Sequence, residues 1–216
     1  MKRTLLIAPF DGPLASVLAS AALAESWALA LGLARGRSPS PAVPGEEGGT
    51  VALDYDPRSY VSASSLVLSA RNALGEIDAA VLLLDPARAK ADFLAAKPGE
   101  LSGLVEERCS GPLFLARELV RRFEARKSGA ILLLAQESPR DAAPGPLAAL
   151  AEGAFEGLGK GLFAAASGAS WKAYGLRDAS GQGERAARYA FELLGDPKGA
   201  KAGRWLRFTG KSGLFG

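Results

Sequence analysis

The feature that most constrains this chain is an alternation. Short, continuous apolar runs recur between longer stretches with helical spacing. The runs are "TLLIAPF" (4–10), "TVALDYD" (50–56), "IDAAVLLLDP" (77–86), "GAILLLAQ" (129–136), "WKAYGLR" (171–177) and "RWLRFTG" (204–210). Between them, Leu14, Val17, Leu18, Ala21, Ala22 and Leu29 give a helical period to residues 12–36. Further helices are expected at 59–74, 104–126, 147–166 and 183–195. Runs that are apolar throughout, rather than at every second position, fit strands covered on both faces. The expected fold is therefore a doubly wound α/β layer structure with right-handed crossovers and a mainly parallel sheet. Residues 38–49, with three prolines and three glycines, read as a loop too near the start to divide two domains. One domain is expected over 1–216.

Composition removes several chemistries. The chain has no histidine and one cysteine, Cys109. Ser-His-Asp, Cys-His and histidine-zinc sites therefore cannot be built from it alone. A single cysteine makes no intrachain disulfide, which suits a reducing cytoplasm, and with no histidine beside it is expected to be a passive thiol. The net charge of +3 over 26 basic and 23 acidic residues is mild and scattered, and no nucleic-acid motif accompanies it. Lys2 and Arg3 before an apolar run mimic a signal peptide, but Asp11 and two prolines break the run early. No apolar stretch reaches the length of a membrane span. Neither nucleic acid nor membrane is expected as a partner.

The stretch "AALAEGAFEGLGKGLFAAA" (148–166) is unusual for a helix, because it holds Gly153, Gly157, Gly159 and Gly161. Each costs about 1 kcal/mol relative to alanine. Ala149, Gly153, Gly157 and Gly161 recur every four residues and share one face. A face without side chains lets another backbone approach, so these four are candidate interface residues. The alternative is that the stripe packs on the chain's own sheet.

The order of segments resembles the short-chain dehydrogenase/reductase family over nearly the whole chain. "GEIDAAVLLLDPA" is similar to that family's G-x-I-D-x-x-V-N-N-A-G strand. "CSGPLFLARELVRRFEARKSGAILLLA" is similar to its N-x-x-G-x-F…G-x-I-V-x-x-S-S helix and strand, and "EGAFEGLGKGL" to the stretch after its catalytic lysine. The resemblance implies a single Rossmann-like domain, here shortened in the second strand–helix region. It also implies that the helices at 104–126 and 147–166 form an interface between subunits. The family's chemistry is not carried. Its Y-x-x-x-K pair falls on Ala148 and Glu152, its serine on Ala135 or Gln136, and its asparagine on Arg108. A methyl group donates no proton, and Glu152 is an anion where the family places a cation. Its G-x-x-x-G-x-G turn falls on Pro9, Pro13 and Ala15, with Gly12 one residue out of register. Each proline removes an amide donor for phosphate. Leu82, Leu83, Leu84 and Asp85 stand in place of N-N-A-G.

Asp54, Asp56, Asp78 and Asp85 lie near strand ends, where they are expected to end strands and cap the next segment rather than hold a metal. Glu152 and Glu156 read as solvated surface charges, Glu156 with Lys160 as a surface pair, and the Arg121–Lys127 cluster as cations favoured by a helix C-terminus. The leading expectation is a non-catalytic subunit without a cofactor of its own, beside an active homologous NAD(P)-dependent oxidoreductase subunit in a hetero-oligomer. By analogy alone, a hydroxyacyl or ketoacyl thioester is the partner's expected substrate. Two other readings stay open. One is a homo-oligomeric ligand-binding or sensor protein using the emptied cleft. The other is a divergent oxidoreductase with Glu152 or Asp85 as base.

Overall fold

A computed structural model describes residues 2–35, 49–86, 93–137, 145–196 and 198–210. Seven strands form one sheet: β1 Thr4–Ala8, β2 Ala28–Ala34, β3 Thr50–Tyr55, β4 Ala79–Leu84, β5 Ala130–Gln136, β6 Lys172–Asp178 and β7 Trp205–Phe208. Their order is β3-β2-β1-β4-β5-β6-β7, and every neighbouring pair is parallel. The chain order reverses between β1 and β4, where Leu5 lies opposite Leu29 on one side and Ala79 on the other. Such a switch point is where open α/β sheets bind ligands.

Alternation along the strands divides the core in two. Leu5, Ile7, Val81 and Leu132 face helices α1 (Gly12–Ala24) and α6 (Gly183–Gly195). Leu6, Ala8, Leu82 and Leu133 face α2 (Tyr60–Leu74), α4 (Gly111–Arg126) and α5 (Pro146–Ala166). Both faces are dry, which explains the uninterrupted apolar runs. Helix α2 starts where its sequence predicts: the Ser59 hydroxyl accepts from the Ser62 N–H at 3.2 Å, and Gly75 at φ +88° ends it. Among the described residues, no helix is long and apolar enough to cross a membrane.

Two sequence expectations are corrected. Residues 12–36 are not one helix. The chain leaves α1 at Ala24, turns through Ser26 at φ +62°, and runs as β2 from Ala28. "ALALGLA" is made of good helix formers, but sheet pairing on both sides overrides that preference. The second strand is therefore not lost into the 38–49 loop. It is a full seven-residue central strand, and the segment after it, 36–48, lies outside the described residues. Second, the helix expected at 104–126 begins earlier and is interrupted. Helix α3 (Pro98–Val105) passes through a π-helical turn at Glu106–Ser110 before α4 begins. A π turn inserts an extra residue and so re-aims the helix beyond it.

Candidate functional site

The first strand-to-helix turn directs its hydrogen bonds inward. Pro9 and Pro13 have no amide hydrogen. The Phe10 N–H donates to the Gly32 carbonyl at 2.7 Å, and the Asp11 N–H to the Pro9 carbonyl at 3.1 Å. Thus, of positions 9–13, two lack a donor and two spend theirs on the protein. Gly12 begins α1 at φ +80°, a conformation that favours glycine, so its place in the sequence follows from the turn. Phe10 is buried and Ala15 packs in the α1–α6 core. A helix N-terminus holds phosphate through free amides; with two prolines and with the Phe10 and Asp11 amides used internally, this one offers fewer of them than a glycine-rich turn, namely those of Gly12, Leu14 and Ala15.

The carboxyl ends of the strands form two unequal spaces. On the α2–α4 side, Ala8, Pro9, Tyr55, Leu83, Arg108 and Leu115 surround a void of about 20 Å³, room for about one water. On the α1–α6 side a cleft of about 740 Å³ opens between Pro13, Asp85, Gln136, Ser180, Glu184 and Arg207. The structure thus gathers Pro9, Leu83 and Arg108 around the small void, and Pro13, Asp85 and Gln136 around the large cleft. Leu82 and Ala15 belong to the core on opposite faces of the sheet.

The positions matching the family's catalytic residues carry no proton relay. Ala148, in the first turn of α5, is buried at 6% exposure, and Glu152 one turn on is half-buried. Ala135 packs with the α4–α5 core, whereas Gln136 points to the large cleft. Strand alternation therefore puts only Ala135 in the same layer as Ala148. Arg108 sits in the π turn at 6% exposure, its Nε 3.4 Å from Glu107 Oε1. The neighbouring Cys109 thiol is pushed up by burial, away from the reactive thiolate. Among the described residues, no three His, Cys, Asp or Glu side chains are grouped to hold a metal ion.

Several charges have definite partners, of which the sequence indicated only the Glu156–Lys160 surface pair. Glu137, at the end of β5, takes Arg207 of β7 in a fork of 2.8 and 2.7 Å across the mouth of the large cleft. Glu156 binds Lys160 and Arg177, and these hold its carboxyl below the usual range, Lys160 the more strongly. Glu118 is fully buried between α2 and α4, accepting from Tyr60, Ser64 and Arg121. Arg126 reaches the Ile77 carbonyl and Asp78, so it has a specific partner beyond the helix dipole. Asp56 folds back on Arg58, chiefly through a side-chain hydrogen bond that lowers its pKa. The long-range pairs, Glu137–Arg207, Glu156–Arg177, Tyr60–Glu118 and Arg126–Asp78, depend on sheet register or helix packing, which spacing along the chain does not give.

Helix α5 separates its glycines. A methyl added at Gly159 would lie 2.6 Å from the Trp205 ring, so this glycine makes room for an indole of the same chain. At Gly153, Gly157 and Gly161 an added methyl meets nothing within 4 Å. These three and Ala149 face outward, beside Leu150 at 49% exposure. The stripe does not pack on the chain's own sheet.

No protein-family model matches this chain, and no curated protein sequence matches it. Solved structures match its fold along almost its whole length. A short-chain dehydrogenase from Rhodopseudomonas palustris gives a TM-score of 0.79 at 16% identity, covering 95% of this chain and 97% of that one. A dehydrogenase/reductase from Sinorhizobium meliloti 1021 gives 0.77 at 16% identity, with 95% and 93% covered. An oxidoreductase of the short-chain dehydrogenase/reductase family from Brucella ovis, solved with a partially ordered NAD, gives 0.76 at 13% identity, with 96% and 100% covered. Sheet order, helix placement and these superpositions agree: the chain has the short-chain dehydrogenase/reductase fold.

Proposed function

We propose that this chain is a non-catalytic short-chain dehydrogenase-type subunit, which supports an active homologous NAD(P)-dependent subunit in a hetero-oligomer. The observation that carries the reading is the turn at residues 9–13, where Pro9 and Pro13 have no amide donor and the Phe10 and Asp11 amides are bonded within the protein, which leaves Gly12 alone of the five. Ala148 and Glu152 add that the proton donor and the cation of the family's mechanism are missing. The outward face of α5, with Ala149, Gly153, Gly157 and Gly161, supports a role in assembly, since an added methyl at these glycines meets nothing within 4 Å among the described residues. The partner, not this chain, holds NAD(P) and performs hydride transfer.

The test is purification of the tagged chain from its native cells under non-denaturing conditions. The expected result is a stoichiometric homologous chain carrying Y-x-x-x-K and G-x-x-x-G-x-G. Recovery of this chain as a homo-oligomer with no homologous partner would contradict it.

A second reading is favoured by one observation, the cleft of about 740 Å³ on the α1–α6 side. Its volume falls in the range of small-molecule sites. On this reading the chain is a ligand-binding protein that reuses half of a former cofactor cleft. Titration with nucleotides, acyl-CoA thioesters and small acids, read as a thermal shift, separates the two: a saturable shift supports ligand binding, and none removes it.

A further inference from the structure

We propose that Arg108 is a built-in occupant of the closed space on the α2–α4 side, a side chain of the protein filling the place at the switch point where a ligand would otherwise lie. The inference rests on the reading that this chain holds no dinucleotide, and adds what stands there instead.

Four observations carry it. First, the void lined by Arg108 is bounded by the carboxyl ends of β1 and β4, at Ala8, Pro9, Leu83 and Leu84, which is the point where strand order reverses. Ligands of open α/β sheets bind at that point. Second, the side chain is inside: Arg108 is 6% exposed, while Glu107 is 23% exposed and Glu106 lies on the surface. Arg108 is the buried residue of the π turn, the segment whose extra residue re-aims the helix. Third, the space around it is tightly packed on the α4 side. A methyl added at Gly111, one turn on, would lie 3.0 Å from the Pro57 carbonyl, so the start of α4 already touches the loop after β3. With Arg108 in place, room for about one water remains. Fourth, the chemistry suits the position. A guanidinium is planar and weakly hydrated, tolerates an apolar surround better than an ammonium does, and has the Glu107 carboxylate beside it at 3.4 Å. A buried cation of this kind is held only while its counter-charge and its volume are both matched.

The test is chemical complementation. Arg108→Ala removes the side chain and leaves a hole beside Glu107. Its melting temperature is expected to fall by about 10 °C. Millimolar methylguanidine is expected to restore most of that loss saturably, without moving the wild type, while equimolar tetramethylammonium does not. If Arg108→Ala does not fold unaided, the readout is the folded fraction after refolding with and without methylguanidine, with the same expected difference. Arg108→Met, which keeps volume but not charge, is expected to be insensitive to methylguanidine. An Arg108→Ala protein that melts like the wild type, or whose loss methylguanidine leaves untouched, overturns the proposal. NAD saturating the wild-type chain would instead overturn the reading beneath it, and the complementation result would still report whether Arg108 fills this space.

Discussion

The two halves of the sheet's carboxyl end differ in kind. On the α2–α4 side Tyr55, Pro9, Leu83 and Arg108 close the space to a void of about 20 Å³. On the α1–α6 side Gln136, Ser180 and the Glu137–Arg207 pair border an open cleft of about 740 Å³. A dinucleotide needs both halves of such a site joined by a phosphate turn. Here one half is packed like core, the other is open, and the turn between them has two prolines and two internally bonded amides. Filling an active site with side chains converts it into stabilising interior. Substitutions in the closed half should therefore behave as core substitutions, and those in the open half as surface ones.

The largest expected effect is in the closed half. Tyr55 is 2% exposed. Tyr55→Ala should cost about 3–5 kcal/mol, the usual range for deleting a buried aromatic side chain. Urea denaturation measures it, and a loss below about 1 kcal/mol, typical of a surface site, would break the distinction. Next comes the outer face of α5. In a monomer Gly157→Ala should raise stability by about 1 kcal/mol, because no contact opposes the gain in helix propensity. Gly157→Leu should dissociate the native assembly, read by size-exclusion chromatography with light scattering. An assembly that survives it places the interface elsewhere.

Smaller still is the pH effect of Glu156, whose folded-state pKa is lowered first by Lys160 and then by Arg177. A lowered carboxylate pKa contributes stability above the unfolded pKa, and that contribution disappears as pH falls through the folded value. Glu156→Gln should therefore be less stable than the wild type near pH 7, with the gap closing below about pH 4.5, the ordinary glutamate value. Thermal melts of both proteins from pH 7 to pH 3 check the sign. The smallest effect belongs to the open half. Glu137→Gln breaks an exposed fork, with Arg207 at 47% exposure, and should leave the melting temperature unchanged, since such pairs are screened by solvent.

Most of the fold was legible because the strands are apolar on both faces and the helices are not. The cap at Ser59 and the stop at Gly75 marked α2 to within a residue. β2 was hidden because alanine and leucine serve helix and strand alike, and only pairing with β1 and β3 decides between them. The π turn was hidden because it depends on how α3 and α4 pack, not on a local residue pattern. At the site, the missing donors could be read directly: proline carries no amide hydrogen wherever it folds. The destination of the Phe10 and Asp11 amides, the burial of Arg108 and the Glu137–Arg207 fork needed the sheet in place. The glycine stripe was legible as a face, but its outward direction and the separate task of Gly159 against Trp205 were not.

Whether this chain binds a dinucleotide is measured most directly by isothermal titration of the purified chain with NAD, NADH, NADP and NADPH. No saturable heat is expected for any of the four. One-to-one binding of any of them at micromolar concentration would contradict the reading of the cleft as emptied, and would mean that the turn at 9–13 holds phosphate in spite of its two prolines and its internally bonded Phe10 and Asp11 amides.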